Sequence, residues 1–79
     1  MFEKQDVILS LNYDLMAIHN RRLMANISTT EEDKQRFWDG YVTALQIRDG
    51  KVEILNAFGY RPVYSVEQRK YVDIVPLER

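Results

Sequence analysis

Phe37-Trp38-Asp39-Gly40-Tyr41-Val42-Thr43-Ala44-Leu45-Gln46-Ile47-Arg48-Asp49-Gly50 is the stretch on which the fold turns. Read with a helical period, Phe37, Trp38, Tyr41, Val42 and Leu45 share a broad apolar face, and Gln35, Arg36, Asp39, Thr43 and Gln46 share a polar one. Gly40 lies near the boundary, where it either allows close packing or is tolerated at about 1 kcal/mol of helix propensity. The closing Asp49-Gly50 has two readings. It suits a tight hairpin turn that folds residues 43–48 against 51–56. It equally suits a helix end with the glycine left-handed. The aromatic run has helical and not strand period, so the helix end is preferred. A helix over residues 30–48 follows, then a short third helix over 51–58 closed by Gly59. Val52, Leu55 and Phe58 are expected to face inward, with Ile54 at the edge.

Immediately upstream, Ser28-Thr29-Thr30-Glu31-Glu32-Asp33 is a strong helix start. Ser28 with Glu31, and Thr29 with Glu32, have capping-box spacing. The three acids complement the positive end of the helix dipole, which explains them without a functional acidic cluster.

Before it, residues 3–25 contain no Gly or Pro and read as another helix. Ile8, Leu11, Leu15 and Ile18 recur at three and four, which places them on one face. Leu9, Met16 and Leu23 recur every seven residues on a different face, widened by Tyr13 and Met24. Asn12 and His19 lie between the two stripes, and Glu3, Ser10, Asp14 and Arg21 form a narrow polar strip. A helix apolar around most of its circumference is usually enclosed on several sides. Two readings stand: the second helix and the sheet cover one stripe each, or one stripe meets another chain. In the second reading Leu9, Asn12, Met16, His19 and Leu23 are the partner-binding residues, and the partner is a second copy or a host target.

Downstream, Arg61-Pro62 breaks any helix. Residues 62–66 and 70–75 are rich in β-branched and aromatic side chains, and 67–69 can connect them as a hairpin. Pro62 and Pro76 suit strand ends or an edge. A lone hairpin is marginal in water, so it must pack on the helices. Leu77-Glu78-Arg79 reads as a loose tail. The expected fold is α+β: two long helices, a short third helix and a C-terminal β-hairpin.

The chain has 79 residues, with 46% hydrophobic and 29% charged residues, which predicts one small globular domain over residues 1–79. With no cysteine, disulfides and thiolate metal sites are excluded. No signal-peptide core and no run long enough to span a bilayer is seen, so a cytoplasmic location is expected. A net charge of −1 lowers the case for a broadly basic nucleic-acid binder.

Chemistry-bearing residues are sparse. His19 is the only histidine, too few for a histidine metal site. Ser10, Asp14 and His19 permit a sketch of a serine–histidine–acid set, but residues on one straight helix do not surround a substrate atom. Gly40, Gly50 and Gly59 stand too far apart for a phosphate loop. No catalytic, cofactor-binding or metal-ligating residue is nominated. His19-Asn20-Arg21-Arg22 is explained as a basic helix end. If it met Arg69 and Lys70 in space, the two groups would suit phosphates or an acidic surface.

The run Phe37 to Leu45 resembles a helix common in small phage and prophage proteins of bacteria, and Asn56-Ala57-Phe58-Gly59-Tyr60 is similar in character. The two runs together make up 14 of the 79 residues. It implies a mobile-element accessory protein that binds and blocks a host macromolecule. The expected function is therefore non-enzymatic protein binding, with inhibition of a host or defence protein as its setting. The alternative is a small nucleic-acid-associated regulatory protein.

Overall fold

Two helices and one hairpin account for nearly the whole chain. A computed structural model describes residues 3–78. Helix α1 spans Lys4–Ile27 and helix α2 spans Glu31–Ala57. Strand β1 spans Tyr60–Ser65 and β2 spans Lys70–Pro76, paired antiparallel. The fold is α+β.

The separate third helix expected over residues 51–58 is absent, because α2 runs through Asp49-Gly50 without a break. Val52 and Leu55 extend the inward face of α2, and burying them outweighs the roughly 1 kcal/mol that a mid-helix glycine costs. The left-handed glycine that ends the helix is Gly59, with φ 89°. Phe58, expected inward, is the capping residue of α2 and is 71% exposed. At the other end of α2 the cap is Thr30, one residue beyond the expected capping boxes. Its hydroxyl oxygen accepts from the Asp33 N–H at 3.2 Å. Ser28 instead closes α1, donating to the Met24 carbonyl.

In the hairpin, Val63 faces Asp73 and Tyr64 faces Tyr71, so the pairing skips Val72 and bulges β2. The Arg69 N–H donates to the Ser65 carbonyl at 2.8 Å and closes the turn. Leu77, expected in a loose tail, is held by its N–H to the Gly59 carbonyl at 2.8 Å. Arg79 lies outside the described residues.

The hairpin docks through its second strand. The Asn12 amide reaches from α1 to Tyr71 and takes both backbone groups: Nδ2 donates to the carbonyl at 3.0 Å, and Oδ1 accepts from the N–H at 2.7 Å. Beneath this pair lies the core of Ile8, Leu11, Leu55, Tyr71 and Ile74, with Val7, Leu15 and Val52 against it. Nearer the N-terminus of α1, Lys4 Nζ meets Asp73 Oδ1 at 3.0 Å. That core sits at one end. The molecule is 46 Å long, α2 alone is roughly 40 Å, and β2 is only roughly 23 Å. Beyond the hairpin the helices continue as a two-helix arm, with Ala25 and Ala44 buried and the Arg21 side chain lying across Gly40. Gly40 thus serves close packing, one of its two sequence readings.

Three outcomes follow from this architecture. Nothing lies within 4 Å of a Cβ built on Gly50, so Gly50→Ala is expected to raise unfolding stability by about 1 kcal/mol in urea titration. A helix end at Gly50 would give a loss instead. Asn12→Ala leaves two half-buried backbone groups of Tyr71 without their partner and should cost about 2–3 kcal/mol, with faster exchange of the Tyr71 amide. Unchanged stability and exchange would show that the hairpin is anchored elsewhere.

The Lys4 ammonium first, and then the Ile74 N–H, hold the Asp73 carboxyl below its ordinary range. A carboxylate depressed on folding adds stability above its unfolded pKa of roughly 4 and loses it as pH falls through the folded value. The stability difference between wild type and Asp73→Asn should therefore be small but present at neutral pH and close below about pH 4. A difference that widens in acid would contradict this assignment.

Candidate functional site

The outer face of α1 carries the partner-binding residues read from the sequence. Both α2 and the hairpin pack on the side of Ile8, Leu11, Leu15 and Ile18, because these share one face. Among the described residues, nothing packs on the opposite face. Leu9 is 65% exposed, Met16 64% and Leu23 48%, and Tyr13 and Ile27 stand out beside them. His19 and Asn20 are exposed between this face and the hairpin. Asn12 is different. Its amide is engaged by Tyr71, so it joins the hairpin to α1 and does not stand free beside the stripe.

On the hairpin flank of α1 lies a groove of about 630 Å³, lined by His19, Asn20, Tyr64, Arg69 and Lys70 among others. Here the structure brings together ends of the two basic groups that lie far apart in the chain. Only His19 and Asn20 of the first group take part; Arg21 is turned onto Gly40. Arg69 has φ 56°, a left-handed conformation uncommon for a residue with a Cβ. Tyr64, at the groove wall, meets Tyr71 edge to face at 5.4 Å.

The opposite flank holds a charged cluster that the sequence did not reveal, because it joins α1 to α2. Lys51 Nζ donates to Ser10 Oγ at 2.8 Å and meets Asp14 Oδ2 at 2.8 Å. Asp14 is only 7% exposed, and its Oδ2 accepts no well-directed hydrogen bond, so the ion pair is its compensation. Ser10 and Asp14 therefore turn to Lys51, while His19 lines the groove at the hairpin; the three do not converge. A serine nucleophile needs a neighbour that accepts its proton, and here Lys51 is placed as a donor. The cluster ties the helices together. Beside it, Val7, Ile54 and Phe58 line a second, apolar groove of about 380 Å³.

Among the described residues, no group of three or more His, Cys, Asp or Glu is placed to hold a metal ion. Asp33, in the acidic start of α2, pairs with Arg36 at 3.3 Å. No described helix is long and apolar enough to cross a membrane. In comparisons with known proteins, no family model, no curated protein and no solved structure matches this chain.

Proposed function

We propose that this chain is a non-enzymatic protein-binding accessory protein that works through the outer face of α1. The observation that carries this reading is the line of Leu9, Met16 and Leu23, all exposed, on a helix whose other face already supplies the core. A soluble domain seldom leaves so continuous an apolar strip in water unless another surface covers it. The resemblance to small phage and prophage proteins supplies the biological setting: binding and inhibition of a host or defence protein in the cytoplasm.

A second reading, a nucleic-acid-associated regulator, is favoured by one specific observation. Arg69, Lys70 and His19 line one groove with an exposed tyrosine, an arrangement suited to phosphate and a stacked base.

The two readings separate by variant. Leu9→Glu and Leu23→Glu place charges at exposed positions, so both should keep the wild-type circular dichroism spectrum. Each should weaken association with a protein partner by about 2 kcal/mol, measured by sedimentation. Unfolding of both would show that the stripe is core. If instead Arg69→Ala and Lys70→Ala abolish a salt-dependent affinity for DNA or RNA and the leucine variants change nothing, the regulator reading stands.

A further inference from the structure

The bare face of α1 has a finer pattern than a seven-residue stripe. Leu9, Tyr13, Met16, Asn20, Leu23 and Ile27 follow one another at spacings of four, three, four, three and four, and every one of them is exposed. That alternation is the seam of a coiled coil and runs from Leu9 to Ile27, with the acidic Asp6 at the position before it. Leu11, Ile18 and Ala25, which face the domain interior, occupy the heptad position diametrically opposite it. The seam thus lies on the side of α1 turned away from the core, edged by Ser10, which meets Lys51 of α2, and by the groove that Met16 and Asn20 share with the hairpin.

We infer that the seam pairs with the same seam of a second copy of this chain, the two α1 helices running parallel and in register. The inference rests on the reading of the α1 face as a binding surface and names its occupant. Three observations select a second copy. First, the positions flanking the seam are Ser10, Ala17 and Met24 on one side and Asn12, His19 and Asn26 on the other. None is acidic, lysine or arginine. Charges at these positions normally choose a foreign partner or repel a copy; between Leu9 and Ile27 there are none, and the one acidic seam position, Asp6, lies in the first turn of the helix.

Second, between Leu9 and Ile27 Asn20 is the one amide in the seam. In parallel register it meets Asn20 of the other copy, and each amide offers a donor and an acceptor to the other. In antiparallel pairing it faces an apolar side chain and stays unpaired. A lone asparagine at such a position is the device that sets register and a two-stranded state.

Third, the areas match. The exposed parts of Leu9, Tyr13, Met16, Leu23, Met24 and Ile27 offer roughly 700 Å² per copy, close to the roughly 800 Å² that each partner buries in a standard interface. Because α1 is already folded on its own domain, pairing carries no cost of helix nucleation.

The test uses the purified full chain alone, in sedimentation equilibrium from about 1 to about 500 μM, a range that brackets micromolar dissociation constants. Wild type should shift from monomer to dimer. Met16→Glu, at an exposed position, should retain its circular dichroism spectrum and raise the dissociation constant at least about 30-fold, the equivalent of one hot spot. Orientation is read separately. The chain has no cysteine, so Asn20→Cys should form a disulfide-linked dimer rapidly under mild oxidation, while Gln46→Cys on α2 should not. A wild type that stays monomeric throughout overturns the self-pairing; the α1 face then survives as a binding surface only if Leu9→Glu disrupts a different protein partner. A dimer that persists in folded Met16→Glu overturns the seam itself. A dimer in which Asn20→Cys fails to cross-link overturns the parallel register.

Discussion

A two-stranded hairpin is marginal in water, and here one side-chain amide fastens it to helix α1. Asn12 presents a donor and an acceptor side by side, as a backbone peptide does, and both meet Tyr71. β2 is therefore held as if by a further strand. Once Tyr71 is placed, its ring and Ile74 close the core over Leu11 and Leu55. The Lys4–Asp73 pair ties the middle of β2 to the start of α1. The bulge at Val72 lets the hairpin serve both contacts, since bulges bend a strand and re-aim its residues.

That docking decides which surfaces remain open. α2 and the hairpin crowd the same face of α1, so the opposite face has no cover among the described residues. The hairpin is also too short to follow the helices to their tip. Trp38 and Val42 stay about half exposed on the arm, with Trp38 stacked on Tyr41 at 5.1 Å. The domain thus has a small compact end and an arm whose apolar surface is out of proportion to its core. Small chains bury a low fraction of their surface, and association is one common remedy.

The buried Asp14 illustrates the same economy of material. Its position places a carboxylate at the α1–α2 junction, where Lys51 compensates it and Ser10 accepts a hydrogen bond from the same ammonium. Replacing such a pair by apolar residues is often neutral or stabilising, whereas breaking it strands a charge.

Local pattern determined much of this protein: the helical character of residues 4–25 and of the aromatic run, the hairpin with its breaker at Arg61-Pro62, and the two apolar faces of α1. These depend on spacing, capping chemistry and backbone restriction, which neighbouring residues settle among themselves. The continuity of α2 was not legible, because Asp49-Gly50 carries equal local signals for stopping and turning. Burial of Leu55 against residues more than forty positions away overrules both. Asn12 shows the limit in another way. Its place between two stripes was evident, but its partner is a backbone unit 59 residues along the chain, and no side-chain pattern records where a peptide group will lie. The groove that unites His19 with Arg69 and Lys70 arises likewise from the docking angle of the hairpin. Sequence could mark two stripes on α1 as apolar; only tertiary packing could choose which of them would be buried, because that choice depends on which side the hairpin is fastened.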